Sequence, residues 1–325
     1  METYGSQICN EKKKNVPDFE ELFLSVVDGR ESQIQSEMLG VLTFLSQVFA
    51  LEKTQEQALQ SRSGENMMGI FNLKMWAVAA LSFSFASASV LADGHGKQSG
   101  KSVDFEVGGE AYEGYFIAGK SDNAPLVYLI HDWDGLTDYE VKRSEMLNEL
   151  GYAVFATDLF GKGVRPTNVE DKKAHTGALY KDREKMRAIM TAGLDAAKGL
   201  GGNTGNAVAM GYCFGGAAVL ELARSGTELK GFASFHGGLS TPEGQDYKAT
   251  KGKVLVMHGT ADSMITMQDF AALANELETT GVAHEMVTYG GAPHAFTVFG
   301  SDRYDEVADT QSWALFTGFL ESHTK

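Results

Sequence analysis

The stretch with the clearest capacity for chemistry is "AVAMGYCFGGAAVL", residues 207–220. There an apolar run meets Gly211-Tyr212-Cys213-Phe214-Gly215-Gly216, and an alanine-rich run follows. A cysteine flanked by glycines two positions away on either side fits the G-x-S-x-G elbow, with sulfur in place of oxygen. A strand-to-helix turn that tight presses its flanking positions together, so side chains there would clash. The nucleophile itself sits in a strained conformation. A helix starting at Phe214 would aim free N–H groups at the sulfur, which predicts a lowered thiol pKa. The bland alternative is a small cysteine buried in an Ala/Gly packing seam. The strand–turn–helix context outweighs it.

A nucleophilic thiol needs a base, and the base an orienting acid. After "GKVLVMHG" comes Thr260-Ala261-Asp262, and after "HEMVTYG" comes Gly291-Ala292-Pro293-His294. Cys213, Asp262 and His294 thus follow three apolar runs in the order nucleophile, acid, histidine. An oxyanion would take one N–H from Phe214 and a second from the loop after "APLVYLIH", where the Trp133 backbone is the natural donor. His131, His236 and His258 also close apolar runs, but earlier in the order, which predicts pocket-shaping or structural hydrogen bonds. No HExxH and no Cys-rich spacing occurs, so neither metal nor cofactor is expected. "GLGGNTGN" from Gly199 precedes a strand, does not fit G-x-G-x-x-G, and reads as a helix end and turn.

These residues need a frame that brings strand ends together. From residue 103 the chain alternates strand-like and helix-like segments. "VDFEVGG" and "AYEGYFIAG" form an expected hairpin. Strands follow in "APLVYLIH", "YAVFATD", "NAVAMGY", "KGFASFH", "GKVLVMHG" and "HEMVTYG". Helices are predicted over 139–150, one long stretch over 169–198, then 214–223, 267–279 and 305–321. Continuous apolar strands separated by helices predict a mostly parallel, doubly wound α/β sheet with helices on both faces. In such sheets the reactive groups gather at the carboxyl ends of strands.

In this order, "HDWDGLTDY", "ATDLFGKG", "GYCFGGA", "SFHG", "GTADSMI" and "GAPHAFT" resemble the dienelactone hydrolase family, cysteine enzymes of the α/β-hydrolase fold. The resemblance runs from about residue 103 to the C-terminus. It implies a Cys213–His294–Asp262 triad and hydrolysis of a small ester or lactone through an acyl-enzyme. It also implies a thiol-activating acid after the third strand. Asp132 stands there, one methylene shorter than the more usual glutamate. Members that open dienelactones carry an arginine four residues after the catalytic histidine, for the substrate carboxylate; here that position is Val298. Arg183 and Arg187 are the candidate substitutes. A thioesterase or acyltransferase could use the same constellation, and a non-catalytic binding protein could keep the fold.

The whole chain frames these expectations. At 325 residues it can bury one large core, or a domain plus an appendage. A net charge of −15 with no offsetting basic patch argues against nucleic acid or anionic membrane as a partner. Two cysteines, Cys9 and Cys213, are too few for a disulfide framework or a zinc site. Residues 67–92 carry Lys74, an uncharged apolar run from Met75, and Val90-Leu91-Ala92 before Asp93. That is the layout of a secretory signal peptide, which predicts export to the periplasm or medium with cleavage after Ala92. No membrane anchor would then remain. Residues 1–66 form an extension with helical apolar spacing and no nameable chemistry. A misplaced start, with translation from Met67 or Met68, is the favoured reading, because export machinery reads terminal signals. The mature domain is expected over 93–325, as a monomer or dimer acting on a small-molecule ester or lactone.

Overall fold

Strands that are apolar at every position must be covered on both faces, and the sheet of this protein meets that demand. A computed structural model describes residues 100–324. The extension at 1–66 and the signal segment at 67–92 lie outside the described residues. The strands are β1 (Lys101–Val107), β2 (Glu110–Ile117), β3 (Pro125–Ile130), β4 (Ala153–Thr157), β5 (Asn203–Tyr212), β6 (Gly231–Phe235), β7 (Lys253–Gly259) and β8 (His284–Tyr289). They form one sheet in the order β1-β2-β4-β3-β5-β6-β7-β8. β2 runs antiparallel to both β1 and β4, and every other pairing is parallel. The hairpin therefore supplies an antiparallel edge to a parallel sheet, as the alternating pattern predicts.

The helices are α1 (Asp138–Glu149), α2 (Val169–Lys181), α3 (Arg183–Gly199), α4 (Phe214–Arg224), α5 (Met267–Thr280) and α6 (Glu306–Thr324). Leu147 of α1 and Phe316, Phe319 and Leu320 of α6 pack on one sheet face, with Val127, Met210 and Leu255. Met186, Ile189 and Leu194 of α3, Val219 and Leu222 of α4, and Leu273 and Leu277 of α5 pack on the other. α4 is buried along its whole length. That explains its alanines, since a helix pressed between neighbours on all sides has no room for larger side chains.

The sequence pattern predicts one long helix over 169–198, and the structure has two. Asp182 leaves the helical conformation and its side chain accepts the Lys185 N–H, capping α3. A carboxylate that captures a free N–H offers the backbone an alternative to continuing the helix. At the far end, Gly201 and Gly202 donate back to Lys198 and Ala197 carbonyls, so "GLGG" is a helix end, as expected.

α3 is tied to α4 by charge. Glu221, fully buried on α4, meets Arg224 at 2.8 Å, Arg183 at 3.1 Å and Arg187 at 2.5 Å. Burial acts to raise the Glu221 carboxyl, but bonds from Arg224 and Arg187 outweigh it and hold the group below its ordinary value. A carboxyl lowered on folding contributes stability above its unfolded pKa and loses it as pH falls through the folded value. Glu221→Gln should destabilise the protein by about 2–3 kcal/mol at pH 7. That is the low side for breaking a buried pair, because Arg183 and Arg187 keep water contact. Urea titrations should show the gap between variant and parent closing below about pH 4.5. A constant gap down to pH 3 would assign the loss to packing instead.

Candidate active site

The site grows from the turn after β5. Cys213 has φ 51° and ψ −112°, a conformation that side chains rarely adopt. A Cβ on Gly211 would lie 2.3 Å from the Gly215 carbonyl, and one on Gly215 would lie 2.2 Å from the Ile130 oxygen. Nothing larger than hydrogen fits at either position; the Gly211–Gly215 contact is the crowding that the G-x-C-x-G spacing predicts, while Gly215 is pressed against the end of β3. Among the described residues only Cys213, His236 and Ala295 are non-glycine residues with positive φ. All three sit on loops at this one edge of the sheet. Each costs on the order of 1–3 kcal/mol, and such strain persists only where surrounding structure enforces it.

The structure brings together the three residues that the sequence order singles out. His294 Nε2 lies 3.1 Å from Cys213 Sγ, and His294 Nδ1 lies 2.7 Å from Asp262 Oδ2. Asp262 Oδ1 accepts the Met264 and Ile265 N–H groups, each at 2.9 Å. Burial acts to raise the Asp262 carboxyl; the His294 and Ile265 hydrogen bonds overcome it and keep the group ionised. An ionised Asp262 accepts a hydrogen bond from His294 Nδ1–H, which leaves Nε2 as an acceptor facing the sulfur. The line can therefore move a proton from sulfur to nitrogen.

The thiol itself departs from expectation. Removal from water pushes Cys213 up to about 12; the Asp132 charge adds to this, and the Phe214 N–H opposes it. The sequence suggests a lowered value from the α4 N-terminus. A helix terminus is worth at most about 2 kcal/mol, or roughly 1.5 pKa units, whereas desolvation reaches about 3–5 units. Burial wins, and the resting sulfur is a neutral thiol.

Asp132, Trp133 and Asp134 form the loop after β3. The Asp132 carboxylate accepts the Asp134 N–H at 2.8 Å, so it is folded onto its own loop rather than hydrogen-bonded to the sulfur. Burial raises it, and burial together with the Asp132 charge raises Glu140, whose carboxylate meets the Asp132 N–H at 3.4 Å. Phe214 N–H is directed at the sulfur, and Trp133 N–H makes no hydrogen bond to a described residue. Arg183 and Arg187 are committed to Glu221. The cation that sequence reasoning misses is Lys172 of α2: its Nζ is 2.5 Å from Asp134 Oδ1 and 5.1 Å from the Trp133 ring centre. Tyr180 of α2 was missed as well. Its ring meets Phe214 edge-on at 5.4 Å, and its phenol is raised by burial and by Cys213. Both lie in the long helical stretch, whose periodicity says nothing about what its ends face. No group of metal-ligating side chains occurs among the described residues.

A sheet in this strand order, with a strained turn after its fifth strand, defines an α/β-hydrolase fold. The chain belongs to the dienelactone hydrolase family, whose family model matches residues 112–324, and it is on that ground a hydrolase. It is similar to a solved structure of the dienelactone hydrolase-like promiscuous phosphotriesterase P91 from metagenomic libraries. That likeness has 30% identity and a TM-score of 0.66 over 71% of this chain and 100% of the other. The structure titled m3DLH is similar at 28% identity and a TM-score of 0.67, with the same coverage. The acylaminoacyl peptidase of Pyrococcus horikoshii, at 14% identity and a TM-score of 0.58, covers 74% of this chain and 43% of its own and shares the fold alone. No curated protein matches the sequence.

A thiol held near 12 has a testable signature. Without substrate, iodoacetamide should alkylate Cys213 slowly at neutral pH, the rate rising roughly tenfold per pH unit from 6 to 9. A plateau near neutrality would mean that thiolate already forms at rest.

Proposed function

We propose that this protein hydrolyses a small neutral ester or lactone through Cys213, His294 and Asp262, with a thioester acyl-enzyme between two half-reactions. The observation that carries the reading is His294, hydrogen-bonded at once to the Asp262 carboxylate and to the sulfur on the strained turn. His294 Nε2 takes the thiol proton as the sulfur attacks the carbonyl carbon. The Phe214 and Trp133 N–H groups hold the oxygen that becomes negative. Collapse expels the alkoxide, which takes the proton back from His294, and leaves the acyl thioester on Cys213. His294 then removes a proton from water, hydroxide attacks the thioester, and the acid leaves as the thiol re-forms. Asp262 keeps His294 in one tautomer and stabilises its cation throughout. Because the resting sulfur is neutral, proton transfer to His294 and bond formation to carbon proceed together on the bound substrate. The Asp132 charge beside the thiol opposes thiolate formation at rest and so keeps the sulfur protonated until substrate arrives.

The expected outcomes are specific. Cys213→Ala should lower kcat by more than about a thousandfold while the protein stays folded. Asp262→Asn should cost about 10²–10⁴ in kcat through loss of the tautomer and the charge partner, and His294→Gln at least as much. Undiminished turnover in Cys213→Ala would reduce the elbow to packing.

Substrate charge follows from what surrounds the sulfur. Asp132, Asp134 and Asp262 each oppose a thiolate there, Lys172 is held by Asp134, and Val298 contributes no cation. Lacking a charge-assisted pair worth about 1.5–3 kcal/mol, the site should turn over anionic substrates roughly ten- to a hundredfold less well. A kcat/KM panel of neutral lactones, aryl esters, thioesters, an aryl phosphotriester and a dienelactone tests this. Val298→Arg should shift preference toward the carboxylate-bearing member. A strong preference of the wild type for that member would overturn the charge argument and direct attention to Lys172.

A further inference from the structure

A second histidine stands behind the site, and the reaction as described does not use it. His236 directly follows β6 with φ 39°, is fully buried, and its ring centre lies 5.4 Å from that of His294 in an edge-on contact. Its Nδ1 accepts the Cys213 backbone N–H at 3.2 Å, a hydrogen shared with the Phe235 carbonyl at 3.0 Å. Accepting there leaves Nδ1 without a proton, so the ring proton is on Nε2. Nε2–H then donates to Thr297 Oγ1 at 2.8 Å. Thr297 is three residues beyond His294 and is itself fully buried.

The protons beyond that point also have a fixed order. The Thr297 hydroxyl reaches Tyr139 Oη at 2.7 Å, Tyr139 reaches the Thr297 carbonyl at 3.3 Å, and Arg143 donates to Tyr139 Oη at 3.3 Å and to the Thr297 carbonyl at 2.8 Å. Arg143 ends on Asp309 at 2.5 Å. Helices α1 and α6 thus grip the segment that carries His294, and His236 couples it to the turn that carries Cys213. Two of the three strained non-glycine residues, Cys213 and His236, are joined by this bond directly, and the third, Ala295, lies between His294 and Thr297.

We propose that His236 is a positioning residue for the reaction, a strut whose two ring nitrogens set the Cys213 turn and the Thr297 segment at the separation that puts His294 Nε2 against the sulfur. The proposal rests on Cys213 being the nucleophile. Among the described residues no other side chain is hydrogen-bonded both to the Cys213 backbone and to Thr297. A shift of a few tenths of an ångström between them lengthens the proton path and changes the chemical step, with substrate binding left alone.

Thr297→Val removes the hydroxyl at nearly constant volume, and Thr297→Ser keeps it. His236→Asn keeps an acceptor near the Nδ1 position but cannot reach Thr297, and His236→Phe removes both links. The four variants should be compared on a neutral aryl ester, alongside Cys213→Ala and thermal melts. Thr297→Val and His236→Asn are expected to lose about ten- to a hundredfold in kcat with KM within twofold, and Thr297→Ser to stay within threefold of wild type. His236→Phe should be the most impaired, and the Thr297 pair decides the matter should it not fold. Folded Thr297→Val and His236→Asn proteins with wild-type kcat would overturn the strut. So would equal losses in Thr297→Val and Thr297→Ser that simply follow the melting temperature. Wild-type turnover in Cys213→Ala would instead remove the nucleophile reading on which the strut depends, and would be seen separately.

Discussion

Everything at the site depends on one steric constraint, the clearance between Gly211 and Gly215 across the Cys213 turn. A Cβ on Gly211 would fall 2.3 Å from the Gly215 carbonyl across the turn, and one on Gly215 would fall 2.2 Å from the Ile130 oxygen at the end of β3, so the turn closes and α4 seats against β3 only because both side chains are hydrogen. Closing it sends α4 directly back beneath the β5–β6 edge and leaves Cys213 standing above the sheet at φ 51°. The Phe214 N–H then points at the sulfur as a consequence of backbone path alone. The core beneath enforces the arrangement: α4 is buried along its whole length and cannot unwind to relieve the strain without exposing the apolar layer it belongs to.

The charges around the thiol set its electrostatics. Cys213 is half-buried, and the charged groups acting on its sulfur are mostly acidic, so desolvation and charge together favour the neutral thiol as the resting form. Asp262 escapes the same penalty because three hydrogen bonds hold its ionised form; at Asp132 and Glu140 burial, joined at Glu140 by the Asp132 charge, outweighs the hydrogen bonds they accept, and both are raised. The difference separates an acid that orients His294 permanently from an acid whose charge near the sulfur is conditional. On the proposed reading, reactivity is summoned by the electrophile: the proton leaves sulfur as the carbonyl carbon accepts its electrons.

The fold was legible because each strand's apolar run is bounded by a chemically distinctive residue, and because parallel order places those residues on one edge. Cys213, Asp262 and His294 could be picked out by type, by glycine spacing and by order. The break at Asp182 was written in the sequence as an acidic cap, yet helical periodicity continues through it and hides it. Arg183 and Arg187 attracted attention as spare cations, while the carboxylate that claims them, Glu221, sits 34 or more residues away on another helix. No linear pattern announces that pairing. The sign of the thiol shift was misjudged for a related reason. A helix terminus is visible in sequence, whereas the depth of burial that overrides it is a property of the assembled core.

Strain and hydrogen bonding at this edge answer one another. Cys213, His236 and Ala295 adopt backbone conformations that would relax in isolation, and they belong to three different loops. Relaxing any one of them alone breaks a specific bond: the Cys213 N–H to His236, the His236 Nε2–H to Thr297, or the carbonyl grip of Arg143 on Thr297. The Thr297 bonds are buried and the Cys213 N–H is half-buried, so an unmade bond costs up to about 1–3 kcal/mol, comparable to the strain it restrains. The three loops therefore hold together or fail together. A reactive geometry built this way tolerates little drift between sulfur and imidazole, even though the two residues are 81 positions apart in the chain. Precision at long sequence separation is thus obtained from a closed circuit of buried polar groups anchored on α1 and α6, the helices on the sheet face opposite α4.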